Sequence, residues 1–468
     1  MKIFSSIRLS VDSWEKSLAS YYEQYDVIYT RQFISFLISF FCMMFYCYLH
    51  SEIVFGGDAY EIWDIAKHFY KPDRQHSFVE YRGGFIFIFY NVIYYLSRLL
   101  HVDDVVVFRL YSSLLFAFLT SYIFPYLFSY MLSMKIGLLK LILFSITLFF
   151  FYRGYFLHPQ TDVLAITFLL LSINVLIFIT KIQKNEWLYY CAAGVLLACS
   201  VMTRFNYVLS IPFIVIFIVL TLSARQANKF RIIKLSAYFV VPCIVLVGAN
   251  SIGTSNSNIL KLKLKDGMLR QKIEWNAGDI KYTGNLVIPE KRGIEILRSE
   301  GIDPDPWKGI SVVKYCSFYA EYPLDMLVIS FQHLFNGLDI TYNSVYVYDL
   351  HTPRIFLSLV NYCIIFLTLV IVTANISLWR LSKKYVLLLL SGITIPGVSA
   401  IPFMVEVRFF MPLTMTFIAI SIFAFRDGIN VIKANSLYMH FALFVAFCFL
   451  LSVSVLNSAD QVIPLKIW

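Results

Sequence analysis

The chain of 468 residues is 59% hydrophobic and 18% aromatic but only 15% charged, against roughly 25% charged in an ordinary soluble domain, which argues against a water-soluble globule. Its formal net charge of +10 is not a nucleic-acid signature. The large polar segment 255–354 holds equal numbers of acidic and basic side chains, and the excess lies in short loops between apolar runs, as positive-inside bias requires. Of the eight cysteines only Cys316 lies outside an apolar run, so neither a disulfide framework nor a zinc site is implied.

Residues 1–31, with Lys2, Arg8, Asp12, Glu15, Lys16, Glu23 and Asp26, read as a cytoplasmic amphipathic lead-in. They are too acidic, and the apolar run from Gln32 to Tyr48 starts too late, for a cleaved signal peptide. The stretch from His50 to Asp104 follows, dense in charge and aromatic rings, and is expected to be the first external loop. Basic loops at Lys135–Lys140, Lys181–Lys184, Arg225–Lys234, Arg380–Lys384 and Arg426–Lys433 all belong on the cytoplasmic side. Parity then allows only one of the two apolar runs before Lys135 to cross. The tyrosine-rich Phe85–Leu100 is expected to lie in the interface and Val105–Leu132 to span. The expected fold is an all-α polytopic membrane protein of about eleven transmembrane helices, with an interfacial helix in the first external loop and a small external loop domain.

The boundaries this implies are a lead-in over 1–31, an N-terminal membrane module over 32–250 that includes the loop 50–104, and an external loop domain over 251–354. C-terminal membrane helices over 355–456 and an external tail over 457–468 complete the chain. Within the loop domain, Ile259–Lys265 alternates apolar residues with lysine and predicts a short strand or an amphipathic surface element. Pro289–Gly301 predicts a helix. Leu324–Phe335 is apolar enough to rest on the membrane.

Asp58 follows Gly56-Gly57 and stands three positions before Glu61, which reads both as a helix capping box and as a fixed carboxylate able to take a proton from an alcohol. Glu61, one turn on, is placed to assist or to bind a cation, and both are taken as the catalytic candidates. Glu80-Tyr81-Arg82-Gly83-Gly84 closes the loop where a helix is expected to begin, so Arg82 suits an anionic group or a membrane-surface anchor. Asp162, in His158-Pro159-Gln160-Thr161-Asp162, opens a span. A carboxylate facing hydrocarbon costs about 2.5–3.5 kcal/mol at a helix centre, so Asp162 is expected to face protein or water, or to cap its helix. Arg153, Arg204 and the Glu406-Val407-Arg408 group stand at the external ends of spans as snorkelling anchors or ligands for a lipid phosphate. The isolated histidines, His333 and His351 among them, show no metal-ligand spacing and are taken as structural.

Four motifs in this order, GGDAYEIWDIA, HPQTDVLAITFLLL, GVLLACSVMTRFNYVLSIP and VEVRFFMP, resemble the GT-C superfamily of membrane glycosyltransferases. The group includes protein O-mannosyltransferases, lipid A aminoarabinose transferases and O-antigen glucosyl transferases. The resemblance implies a GT-C-like fold and transfer of a sugar, with inversion, from a polyprenyl-phosphate donor to a hydroxyl of an envelope glycan or lipid acceptor. It also implies a bacterial inner-membrane protein with its active site in the periplasm. Asp58 matches the catalytic acidic position and Arg204 and Arg408 the phosphate-facing basic ones. The chain departs from relatives in lacking the adjacent acidic pair of the O-mannosyltransferases and in having Arg204 where many carry lysine. No cofactor is required by such chemistry, although a divalent cation at Asp58 and Glu61 stays open. Two alternatives are an O-antigen polymerase and a secondary transporter, the latter expected to show internal repeats.

Overall fold

A computed structural model describes residues 29–50, 55, 58–69, 84–132, 134–180, 185–251, 256–274, 285–304, 308–340, 355–374, 383–403, 406–434, 437–459 and 463–465. The first 28 residues and Arg82 lie outside them.

Among the described residues eight helices are long and apolar enough to cross a membrane, or nine if one bent pair counts as a span. The protein is a polytopic membrane protein. The first helix, α1 (Tyr29–Leu49), is followed by two shorter ones, α2 (Asp58–Lys67) and α3 (Phe85–Leu100). Then come α4 (Asp104–Leu132), which contains a π-helical turn at Leu119–Ile123, α5 (Leu138–Phe156), α6 (Thr161–Ile179), α7 (Glu186–Thr203), α8 (Phe205–Ala224) and α9 (Lys229–Ser251). After the polar segment follow α14 (Ile355–Ala374), the shorter α15 (Lys383–Val398), α16 (Val407–Phe423), α17 (Phe425–Ala434) and α18 (Leu437–Ala459). The bend between α16 and α17 is 73°.

The helix α6 is apolar on nearly every side, which suits a helix surrounded by others. It packs on α7, and α7 on α9. Because lipid tails are as apolar as leucine, such contacts depend on close backbone approach and on hydroxyl bonds between helices. Ser172 donates to the Ala193 carbonyl and Ser200 to the Ala165 carbonyl, each at 2.7 Å, tying α6 to α7. At Gly194 a Cβ would stand 2.2 Å from the Phe239 carbonyl oxygen, so α7 and α9 touch through backbone. One large apolar core joins these helices to α1, α4, α5 and α16.

The polar segment folds beside the bundle. It contains α10 (Asn256–Leu269), a hairpin of β1 (Arg270–Glu274) and β2 (Asn285–Pro289), then α11 (Lys291–Ser299), α12 (Val312–Glu321) and α13 (Pro323–Leu338). A third strand, β3 (Ile463–Leu465), comes from the end of the chain and pairs antiparallel with β2. Among the described residues the helical class expected is therefore supplemented by three short strands, ordered β1-β2-β3. The helix expected over 289–301 is present as α11. Ile259–Lys265 belongs to the helix α10 and is not a strand. Leu264, Met268 and Leu269, at i, i+4 and i+5, enter a small core with Leu297, Phe318 and Ile329; one helical face holds all three, whereas strand alternation would turn Leu269 to the opposite side.

Candidate functional site

The site starts from α2, whose first residue is Asp58. Ala59, Ile62, Trp63, Ile65 and Ala66 form its buried face and pack with Ile86, Phe87 and Tyr90 of α3 and Phe108 of α4. Three polar contacts lock this short helix in place. Trp63 Nε1 donates to Asp104 Oδ2 at 3.2 Å, and Lys67 pairs with the same carboxylate. Asn91 donates to the Ala66 carbonyl at 2.6 Å, satisfying a backbone acceptor at the end of the helix. The place of Asp58 at the head of α2 is thus set by an apolar cluster and these polar contacts.

Opposite it stands Arg408, in the 3-10 turn Val407–Phe410 that opens α16. Arg408 Nη2 donates to Asp58 Oδ2 at 3.3 Å, across 350 residues of sequence. The same nitrogen donates to Glu406 Oε1 at 3.0 Å, while Arg408 Nε lies 2.6 Å from Glu406 Oε2 and 4.0 Å from Asp162 Oδ2. Nη1 donates to Gln160 Oε1 at 2.8 Å. Arg204, at the C-terminal end of α7, pairs with the other Asp162 oxygen and lays its guanidinium 4.3 Å from the centre of the Phe409 ring. Five of the residues singled out in the sequence therefore form one network: Asp58, Asp162, Arg204, Glu406 and Arg408.

Exposure divides the network. Arg408, Asp162 and Glu406 have side chains only 3–5% exposed, whereas Asp58 is 36% and Arg204 16% exposed. The inner members hold one another, and the outer two present a carboxylate and a guanidinium to whatever approaches. Three carboxylates face two guanidinium groups, and buried charges of this kind persist only when paired and hydrogen-bonded. Asp162 is the second residue of α6, and the preceding Gln160 makes no side-chain cap bond. Asp162 is thus spent on the arginines, not on capping.

The remaining candidates are distributed differently. Glu61 lies one turn along α2, on its exposed side. Arg153 does not join the network: it donates to the Phe150 carbonyl at 2.9 Å and stacks 5.4 Å from the Tyr46 ring of α1. The aromatic rings at the end of α5 hold it there. Among the described residues no group of three or more His, Cys, Asp or Glu is arranged to hold a metal ion. Between the carboxylates of Asp58, Asp162 and Glu406 lies the Arg408 guanidinium.

One residue with no assigned role proves to belong here. Gln160 accepts from Arg408 and, through its backbone carbonyl, from the Tyr90 hydroxyl at 2.8 Å. The available signal was a polar residue lying between Pro159 and the most apolar span, too ordinary to single out. His158, two positions earlier, is buried, and burial together with Arg109 pushes its imidazole down to about 3, so it is neutral at physiological pH.

No protein-family model matches the chain, and no curated protein matches it significantly.

Proposed function

We propose that the protein is a GT-C-like glycosyltransferase that moves a sugar from a polyprenyl-phosphate donor to a hydroxyl of an envelope glycan or lipid. In this reading the chain crosses the membrane about eleven times, counting α15 and α18, with the Asp58 network on the periplasmic side of a bacterial inner membrane. The observation that supports it most is the Asp58–Arg408 contact beside the Asp162–Arg204 pair, a carboxylate and guanidinium groups gathered where helix ends meet.

Asp58, the most exposed carboxylate of the network, takes the proton of the acceptor hydroxyl as that oxygen bonds to the anomeric carbon. The bond from the anomeric carbon to the phosphate oxygen breaks at the same time, and the electron pair leaves with the prenyl phosphate. Charge developing on the phosphate is met by Arg204, whose plane is steadied by Phe409. Arg408 is a positioning residue, because Glu406 and Gln160 hold its guanidinium against Asp58. That differs from the phosphate-facing role expected of Arg408 by resemblance, and burial is the reason.

The test is release of prenyl phosphate by the purified protein from a panel of polyprenyl-phosphate sugars. Asp58→Asn is expected to abolish release while the protein stays folded and inserted. Retained release in that variant would remove Asp58 from the chemistry.

A further inference from the structure

The helix α13 is turned inside out for a helix in water. Its outward face carries Leu324, Leu327, Val328 and Phe331, at i, i+3, i+4 and i+7, with Leu324 77% and Phe331 53% exposed. Its inward face buries His333 and Asn336 among Met326 and Ile329. A helix bathed by water on one side does the reverse, placing polar residues outward and apolar ones inward. An exposed apolar stripe beside buried polar groups marks a surface meant for a nonaqueous neighbour.

The neighbour follows from what α13 adjoins. Its C-terminal part, Leu334 and Leu338, packs with Phe410 and Leu413 of α16 and Phe447 of α18. The helix α18 itself exposes Phe441, Leu443, Val445 and Phe449, so the outward face of α13 continues the apolar surface of the bundle. Sixteen residues span about 24 Å, short of the roughly 30 Å hydrocarbon core. At the N-terminal end of α13, Asp325 is held by the fork of Arg292 from α11, at 3.0 and 3.1 Å. That pairing fixes a charged edge beside the apolar stripe, the amphipathic plan of helices that lie along a bilayer.

We propose that α13 lies in the headgroup–acyl boundary of the membrane, with Leu324, Leu327, Val328 and Phe331 among lipid chains, and seats the polar segment on the bilayer. The seat bears on the network at Arg408 through the chain between α15 and α16. His333 of α13 is hydrogen-bonded to the Ile401 carbonyl at 2.6 Å, Tyr315 of α12 donates to the Pro402 carbonyl at 3.2 Å, and Gly267 of α10 packs on Pro402 and Phe403. The polar segment thus grips Ile401–Phe403, just ahead of Glu406 and Arg408. This inference does not depend on the reaction proposed above.

The experiment uses the 468-residue chain with exposed Cys42, Cys316 and Cys363 replaced by serine, reconstituted in phosphatidylcholine–phosphatidylglycerol vesicles. Nitroxide labels are attached one at a time at Leu324→Cys, Leu327→Cys, Val328→Cys and Phe331→Cys, with Glu295→Cys on exposed α11 as the aqueous reference. Collisions with lipid-soluble oxygen are expected to exceed those with a water-soluble nickel chelate several-fold at the four α13 positions, and the ratio to reverse at Glu295→Cys. Four positions are read so that a single variant that fails to fold leaves the pattern measurable. Nickel access at α13 equal to that at Glu295→Cys would overturn the proposal. So would exclusion of both reagents with spin–spin broadening, which would assign the face to a second copy of the chain.

Discussion

Arg408 is the cation that three carboxylates of the network share, and its removal shows what that pairing is worth. Arg408→Ala leaves the Glu406 and Asp162 carboxylates buried without their shared guanidinium, and breaking a buried ion pair costs about 3–5 kcal/mol. Thermal unfolding in detergent is expected to show that loss. Arg408→Leu combined with Glu406→Leu should recover part of it, because replacing a buried pair with apolar groups is far cheaper than orphaning one partner. Arg204 is expected to behave differently, being partly exposed. On the proposed reading, Arg204→Ala weakens donor binding and also lowers kcat for the prenyl-phosphate sugar, because the charge that develops on the departing phosphate is no longer met; unchanged donor affinity and turnover would make Arg204 an anchor for Asp162. Each of these residues was visible in the sequence as a charge at the end of an apolar run. Their pairing was not, since nothing local in VEVRFFMP or HPQTD reveals that Arg408 binds Gln160 and Asp58. Arg153 carried the same sequence signal and was grouped with them, yet Tyr46 and its own helix claim it.

Helix contacts set the next scale, and two glycines with different surroundings make a controlled comparison. A Cβ on Gly194 would meet the Phe239 backbone at 2.2 Å, whereas one on Gly392 of α15 would find only ordinary contacts of 3.5 Å and more with Phe213 and Ile214 of α8. Gly194→Ala is expected to push α7 from α9 and lower stability by about 1–3 kcal/mol, while Gly392→Ala stays neutral or gains slightly from helix propensity. Unfolding midpoints of the two variants side by side check this. The helix α13 supplies a pH dependence. Burial pushes the His333 imidazole down from 6.5 to about 4, so between those values the unfolded chain binds a proton that the folded one does not. Stability is therefore complete above about pH 6.5 and is lost as pH falls toward 4, by about 3 kcal/mol in all. Hydrogen exchange in α13 should rise on acidification over that window. His333→Gln should flatten the dependence, and a rise undiminished in the variant would assign it to other groups. The helix itself was legible from Pro323 and the apolar run; that His333 faces inward and Leu324 and Leu327 outward was not, because both faces share the same composition window.

For the molecule as a whole, the polar segment and the bundle are one arrangement joined at Ile401–Phe403 and by the knot in which Asp339 accepts from Ser358 and Tyr362 of α14, at 3.0 and 2.8 Å. The side on which this arrangement sits is open to test. A cysteine in the His101–Asp103 turn, which joins α3 to α4, is expected to react with an impermeant reagent from the periplasmic side only; labelling from the cytoplasm would overturn the crossing count. Hydropathy and loop charge alone determined that the protein is a bundle of membrane helices and which charged residues stand at their ends, because the cost of burying charge in hydrocarbon acts on each segment independently. Only the tertiary structure decided which of those charges meet, that Arg408 is enclosed while Asp58 stays more exposed, and that α13 turns Leu324 and Leu327 outward. The first two depend on the ends of α2, α6, α7 and α16 meeting, and the third on the packing of α13 against α10, α11, α12 and α16. Packing joins residues hundreds of positions apart, which no local pattern in the chain encodes.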